Sequence, residues 1–196
     1  MAGRTGRRPG NPDTREAILG AARTAFADKG YDGASIRTIA TGAGVDPALV
    51  HHYFGTKNNL FLAAMNLPID PGELIVKAVD GDRAQVGERL VRMFLTVWDG
   101  PAGAAGVALL RSAMGSEWTV KLFREFVTTQ VMRRLAARLP IDPAEAPARV
   151  SLAASQMAGL AVVRYVLKVE PLASMPREVL VSAIGPTVQR YLLGRL

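Results

Sequence analysis

Apolar residues recur at intervals of three and four along most of this chain. That spacing places them on one face of an α-helix, and no stretch alternates apolar and polar residues as a half-buried strand does. The first apolar stripe consists of Ile18, Ala22, Ala25 and Phe26, and it ends at Gly30, a residue type that favours a helix stop. The pattern predicts an all-α protein.

Two short helices joined by a glycine follow this stripe. Ser35 is suited to cap the first helix, and Gly44 suits a left-handed turn after it. Asp46 then offers a cap, and Pro47 an ideal first residue, for a second helix that runs to about residue 53. This spacing is typical of a helix-turn-helix, which points to DNA.

A further helix begins with Thr56 as its cap and ends at the sequence LPIDP, residues 67–71, because proline cannot continue a helix. We place a domain boundary there, between a helix-turn-helix domain of residues 13–66 and a second domain of residues 67–196. The same five letters recur at residues 139–143. We interpret each copy as a helix stop followed by a helix start, with aspartate as the cap and proline as the first helical residue.

The second domain shows the same helical spacing throughout. We predict helices at about residues 71–80, 83–99, 103–114, 117–138, 143–168 and 176–194. The stretch 150–163 carries no charge, but it is too short to span a bilayer. We therefore expect no membrane partner.

Composition narrows the classes of function. The 196 residues carry a formal net charge of +7, which favours a polyanionic partner, although both domains share the excess. No cysteine is present, which excludes disulfides and a thiol nucleophile. The N-terminal residues lack the apolar segment of a signal peptide, and we expect a cytoplasmic protein.

Residues 1–12 form a candidate basic arm. Arg4, Arg7 and Arg8 precede the first acidic residue and lie among glycine and proline. We interpret this segment as flexible when alone and as lying along phosphates, or entering a minor groove, when DNA is present. A merely solvated tail is the alternative.

With these motifs, residues 13–65 resemble the DNA-binding end of the TetR family of transcriptional regulators. The resemblance covers about a quarter of the chain and is carried by the helix before the motif, by small and apolar positions within it, and by an aromatic pair and a helix start after it. These residues are TREAILGAARTAFADKGYDGAS at 14–35, Ala40, Gly44, Val45, Val50, Tyr53, Phe54, Lys57 and Leu60.

The resemblance implies that the second helix of the motif faces DNA. Contacts to bases or backbone are then expected from Ser35, Arg37, Thr38, Pro47, Ala48, Leu49, His51, His52, Tyr53, Thr56 and Lys57. Tyr53 and Lys57 match the family's phosphate anchors, while His51 or His52 can donate to a base edge or phosphate. Asp46 stands where the family often has serine, and we assign it to capping because a carboxylate repels phosphate.

The resemblance also implies a homodimer and an effector. In the family the last two long helices form a four-helix dimer interface, here helices at about 143–168 and 176–194, and a cavity between the middle helices binds a small molecule. We expect a repressor that binds a palindromic double-stranded operator and is released by an effector whose identity the sequence does not reveal. The candidate cavity residues are Met93, Trp98, Leu110, Met114, Trp118, Phe123 and Phe126.

Plainer interpretations exist for several of these residues. Each bulky residue of the middle helices can be ordinary core, and the last two helices can be buried within one subunit. Arg37 can be a solvated surface charge. Arg111 and Arg124 can recognise an anionic group or can equally be solvated.

Other classes of function fit the residues less well. Neighbouring positions of a helix point about 100° apart, so His51 and His52 make a poor metal pair, and we expect no metal or cofactor. The sequence contains neither a cofactor-binding loop nor a nucleophile paired with a base, so nothing in it indicates an enzyme. A helix-turn-helix that binds a protein in place of DNA stays as the other alternative.

Overall fold

The computed structural model describes residues 12–113 and 115–196. Within these ranges every regular element is a helix, which confirms the predicted all-α class. The predicted arm residues Arg4, Arg7 and Arg8, and the predicted cavity residue Met114, lie outside the described residues. Contacts divide the chain into two compact units, with the division after Asn66.

The N-terminal unit contains four described helices: α1 (Pro12–Gly33), α2 (Ile36–Ala43), α3 (Pro47–Phe54) and α4 (Lys57–Ala64). Buried side chains of α1 pack against α2 and α4. The ring of Phe26 meets that of Phe61 edge to face, with ring centres 5.0 Å apart. Gly30 has a φ angle of 71°, so α1 is kinked at the residue where its sequence predicts a stop.

The C-terminal unit has seven α-helices among its described residues. They are α5 (Pro71–Val79), α6 (Val86–Asp99), α7 (Gly103–Ala113), α8 (Glu117–Phe126), α9 (Arg133–Arg138), α10 (Ala146–Ala161) and α11 (Arg177–Leu193). A 3₁₀ turn at Arg83–Gln85 leads into α6. A π-helical segment at Val127–Met132 joins α8 to α9, and another at Val162–Val166 continues α10.

Helices α6 and α11 cross at two glycines that bring their backbones together. A Cβ atom on Gly87 would overlap the carbonyl oxygen of Gly185 and lie 2.6 Å from the backbone nitrogen of Gln189. The Gly87 N–H donates to the side-chain oxygen of Gln189 at 2.8 Å. This crossing holds α11 against the helix that carries Met93 and Trp98.

The first LPIDP segment starts a helix as predicted. The Asp70 carboxylate accepts hydrogen bonds from the backbone N–H groups of Gly72, at 2.8 Å, and Glu73, at 3.3 Å. Pro71 is the first residue of α5, where its missing N–H leaves no hydrogen bond unmade.

The second LPIDP segment does not start a helix, and that prediction is wrong. The carboxylate of Asp142 accepts from the backbone N–H of Ala144 at 2.8 Å, but this bond closes only a turn. Helix α10 begins later, at Ala146. The proline in its first turn is Pro147, so Pro147 occupies the helix-start position that the sequence had suggested for Pro143.

Among the described residues, no single helix has both the length and the apolar character needed to cross a membrane. One pair of helices, Arg83–Asp99 with Gly103–Ala113, meets that criterion together by length and composition alone, and it is bent by 91°.

Candidate DNA interface and effector cavity

A tight turn fixes α3 against α2. Gly44 has a φ angle of 66°, the left-handed conformation that favours glycine, and its N–H donates to the carbonyl of Thr41 at 3.1 Å. The N–H of Val45 donates to the carbonyl of Ala40 at 3.0 Å. Ala40 is completely buried, so a larger side chain there would force the two helices apart.

Side-chain caps begin all three helices around this turn. The Ser35 hydroxyl accepts from the backbone N–H of Thr38 at 3.0 Å, and the Thr56 hydroxyl accepts from the N–H three residues later at 3.1 Å. The Asp46 carboxylate accepts from the N–H two residues later at 2.7 Å, which confirms that it caps α3. A negative charge at this end of a helix also interacts favourably with the helix dipole.

The predicted contact residues of α3 lie on its accessible side. Exposed or half-buried there are Pro47, Ala48, Leu49, His51, His52 and Tyr53. Val50 and Phe54 are buried and hold the opposite side of α3 in the core of the unit. Helix α2 adds exposed Arg37 and Thr38, and the Thr38 hydroxyl lies 2.8 Å from that of Ser35.

His51 is oriented by a hydrogen bond at the end of α3. Its Nδ1 lies 3.0 Å from the carbonyl oxygen of Gly55. Because a carbonyl can only accept, a neutral His51 that makes this bond carries its proton on Nδ1, and its Nε2 presents a lone pair. In that state the free ring nitrogen accepts a hydrogen bond, for example from the amino group of adenine or cytosine, whereas the sequence had suggested donation.

Lys57 is held against α1 within the N-terminal unit. Its Nζ lies 3.4 Å from the carbonyl oxygen of Asp32 and 4.7 Å from the centre of the Tyr31 ring. These are a long hydrogen bond and a cation–π contact, both weak where water has access. Sequence spacing did not identify Tyr31 and Asp32 as partners of Lys57, because the contact is not local along the chain.

An apolar cavity of about 400 Å³ lies in the C-terminal unit. The structure places five of the predicted cavity residues on its wall: Met93, Trp98, Leu110, Phe123 and Phe126. The wall also includes Leu67 and Ile69 of the first LPIDP segment, Gly106 and Ser155, which the sequence pattern does not identify. A glycine or serine facing a cavity leaves no hydrophobic signal to find.

Trp118 is not among the residues that line the cavity. Phe123 and Phe126 define the side of α8 that faces it, and Val127, the first residue of the following π-helical segment, extends that side. Trp118 lies five residues before Phe123, and at about 100° per residue that spacing turns it about 140° away from this side. Bulk and helical context predicted the helix correctly but not this side chain's direction.

Trp98 forms a wall of the cavity and is packed from behind. Its ring stacks on that of Tyr165, with centres 5.3 Å apart and planes inclined by 25°. Phe94 is tilted against it at 5.4 Å. A Cβ atom on Gly106 would lie 3.0 Å from the indole, so α7 approaches the ring closely only because that position is glycine.

A hydrogen-bonded charge cluster anchors Tyr165. The Tyr165 hydroxyl donates to Asp99 at 2.8 Å, and Asp99 accepts from Arg177 at 3.1 and 3.2 Å. Arg164 lies 3.9 Å from Asp99 and donates to the carbonyl groups of Leu172 and Met175. Burial, with the Asp99 hydrogen bond second, raises the pKa of Tyr165 to about 12.

A helix-turn-helix with an accessible second helix, accompanied by a helical unit with an apolar cavity, defines a transcriptional regulator. The family model described as bacterial regulatory proteins, tetR family, matches residues 18–64, and that of the Tetracyclin repressor-like C-terminal domain matches residues 84–192. The chain belongs to the TetR family, as its motifs predicted.

Individual relatives show how far the similarity extends. The HTH-type transcriptional regulator BetI of Rhizobium meliloti is 29% identical over 170 residues, which cover 83% of this chain and 82% of that protein. The HTH-type transcriptional repressor AcnR of Corynebacterium glutamicum is 41% identical over 63 residues, which cover 32% of each chain. A solved TetR-family regulator from Streptomyces coelicolor is 39% identical, with coverage of 95% and 98% and a TM-score of 0.48.

Proposed function

We propose that this protein is a homodimeric repressor that binds a palindromic operator and is released by a small molecule in its C-terminal cavity. The accessible side of α3, capped by Asp46 and fixed by the turn at Gly44, is the observation that carries the proposal. The name of the Corynebacterium relative, a transcriptional repressor, supports repression. We place this action in the cytoplasm, where bacterial operators are found.

The contact residues divide into two roles in this proposal. Tyr53, Thr56 and Lys57 lie at or near the start of α4, where the positive end of the helix dipole favours an anion, and they bind phosphate. Arg37, Thr38 and His51 read base edges, and Leu49 contacts a thymine methyl group. Further phosphate contacts come from Arg4, Arg7 and Arg8, and the exposed residues Ser35, Ala48 and His52, with half-buried Pro47, complete the surface.

A gel-shift titration on DNA from upstream of the protein's own gene tests operator binding. Lys57→Gln should weaken binding about three- to tenfold on every sequence and reduce the slope of log affinity against log salt by about 0.9, the loss of one phosphate contact. Lys77→Gln is the matched control, because Lys77 is exposed on α5 and outside the helix-turn-helix. Equal effects of the two changes, or the absence of any specific shift at moderate salt, would contradict the proposed DNA contact.

The proposed dimer forms through α10 and α11. The exposed positions of α10 from 151 to 159 are Ser151, Leu152, Ser155, Ala158 and Gly159, a set with no charge. Small residues allow a second helix to approach closely, and exposed Val179 on α11 adds apolar surface. Two reading helices about 34–36 Å apart can then enter successive major grooves, which one short helix cannot do.

Sedimentation analysis tests this interface with a pair of matched variants. Leu152 and Val120 are exposed to similar extents, 39% and 40%, but Val120 lies on α8. Leu152→Glu should shift the protein towards monomer and weaken operator binding, because it buries a charge in the interface. Val120→Glu should leave both unchanged. A dimer that survives Leu152→Glu and dissociates with Val120→Glu would place the interface elsewhere.

A further inference from the structure

We infer that the molecule held in the C-terminal cavity is uncharged and largely apolar. This inference rests on the proposed function, because it specifies the chemistry of the proposed effector. Its basis is the wall of the cavity, to which 27 described residues contribute. None of these 27 has an ionisable side chain, and only Trp98 and Ser155 carry a polar side-chain atom.

The Ser155 hydroxyl is already used. It donates to the carbonyl oxygen of Leu152 at 2.8 Å, one turn earlier in α10. The hydroxyl oxygen can still accept a hydrogen bond from a ligand, but its only hydrogen is already shared with the backbone. The wall offers aliphatic, aromatic and thioether surface, including Met93 and Met157, whose flexible side chains adapt to the shape of an apolar molecule.

Charged residues that neighbour wall residues along the chain, such as Asp70, Asp99, Arg111 and Arg124, do not line the cavity themselves. Arg111 and Arg124 are exposed, and neither lines the cavity, so the structure does not support the anion recognition considered for them. Behind Trp98, the carboxylate of Asp99 accepts from Arg177 and from the hydroxyl of Tyr165. A charged ligand would lose its hydration on entry and gain no counter-charge from the described wall.

The size of the cavity limits the ligand as well. About 400 Å³ is near the lower end of the range for small-molecule sites. Aromatic rings line it from two helices, with Phe94 and Trp98 on α6 and Phe123 and Phe126 on α8. A compact, ring-containing, neutral molecule has the surface that this wall can cover without leaving polar groups unpaired.

Three probes with the same ring system test the inference directly. They are 2-naphthalenemethanol, 2-naphthoate and 2-naphthylmethylammonium, which are neutral, anionic and cationic at pH 7. Isothermal titration of the full chain should show the neutral alcohol binding at least tenfold more tightly than either ion. Equal or tighter binding of an ion, or no binding of the alcohol, overturns the inference.

A pair of serine substitutions on α10 shows whether the probes enter this cavity. Ser155 is exposed and lines the cavity, whereas Ser151 is exposed one turn away and does not. Ser155→Asp should narrow or reverse the preference for the alcohol over the ammonium probe, because it adds the missing counter-charge. Ser151→Asp should leave the preference unchanged, and Ala158→Asp, also exposed on the wall, should repeat the effect of Ser155→Asp. All three changes add a charge to the proposed dimer surface of α10, so sedimentation analysis must show that the variants share one oligomeric state and only the difference between Ser151→Asp and the wall variants counts. Equal responses of Ser151→Asp and both wall variants would place the probes elsewhere and overturn the inference.

A gel shift without ligand separates this inference from the proposed function. Operator binding by a protein that prefers 2-naphthoate refutes the ligand class and leaves the repressor intact. Preference for the alcohol by a protein that binds no operator supports the ligand class and refutes the repressor.

Discussion

Replacement of Gly87 by alanine should force α6 and α11 apart. The new Cβ atom would overlap the carbonyl oxygen of Gly185 and lie 2.6 Å from the backbone nitrogen of Gln189, whereas ordinary van der Waals contact begins near 3.4 Å. The helices must therefore separate by at least about 0.8 Å at Gln189, and by more at the Gly185 carbonyl. Backbone atoms cannot rotate away as a flexible side chain can, so the strain falls on the whole crossing.

The expected loss of stability follows from this displacement. A gap of that size removes about a quarter to a half of the dispersion energy between the atoms it separates, and overpacking of a core typically costs about 1–3 kcal/mol. The higher helix propensity of alanine offsets about 0.5–1 kcal/mol of this loss. We expect a net loss of about 1 kcal/mol and a melting temperature lower by roughly 3–5 °C for the C-terminal unit.

Tryptophan fluorescence during urea or thermal unfolding measures this change. Both tryptophans of the chain, Trp98 and Trp118, belong to the C-terminal unit, so their emission reports on that unit. Gly159→Ala is the control, because a Cβ atom there would meet nothing within 4 Å. It should leave stability unchanged or raise it slightly. Measurement at several protein concentrations separates any effect of this control on dimerisation.

A double variant tests the mechanism itself. A Cβ atom on Gly185 would lie 2.7 Å from Cγ and 3.0 Å from Cα of Glu88, so Gly185→Ala should also destabilise the unit. Once one alanine has separated the helices, the second alanine no longer overlaps the opposite backbone. The double variant should therefore lose less stability than the sum of the losses of the two single variants. Additive losses, or a Gly87→Ala variant as stable as Gly159→Ala, would refute the close crossing as the cause.

Three further predictions follow from single contacts. Asp46→Ala should lower the stability of the N-terminal unit by about 1 kcal/mol in thermal unfolding, whereas Asp46→Ser should keep the cap and tighten DNA binding in gel shifts. Gly106→Val should displace Trp98, which weakens binding of 2-naphthalenemethanol and shifts tryptophan emission, whereas Gly20→Ala, at an open position, should do neither. The raised pKa of Tyr165, about 12 against an ordinary 10, means that the folded state retains its proton longer. The contribution of Tyr165 to the free energy of unfolding is therefore complete below pH 10 and is lost as the pH rises towards 12. In urea unfolding, the free energy of unfolding should fall less steeply at alkaline pH in Tyr165→Phe than in the original protein. Equal falls in both proteins would contradict this assignment.

The helix-turn-helix was predictable because its signals are local. The caps at Ser35, Asp46 and Thr56 each bond within three residues, and Gly44 is needed where the chain turns left-handed. Sequence motifs record such short-range constraints directly. The direction of the Lys57 side chain, bonded to a carbonyl on α1, was not predictable, because nothing near Lys57 in the chain encodes it.

Prediction was weaker in the C-terminal unit for a different physical reason. Helical spacing located the middle helices, and bulk identified five of the 27 described residues that line the cavity. It could not show that Trp118 points away, because the apolar positions of α8 do not all lie on one side. The Asp142 signal was local and misleading, because aspartate and proline favour turns as well as helix starts, and the Asp142 carboxylate here closes a turn.

Trp98 connects the cavity to the two helices of the proposed dimer. One side of its indole lines the cavity, while another stacks on Tyr165 in the π-helical segment that continues α10. The hydroxyl of Tyr165 bonds to Asp99, and Asp99 bonds to Arg177 in the first turn of α11. A ligand that moves the indole therefore acts on α10 and α11 through contacts of 2.8–5.3 Å. The ligand can lower operator affinity only if it binds more tightly to the arrangement in which this stack has shifted. The Trp98→Ala variant should therefore still bind the operator, but ligand should no longer change its operator affinity.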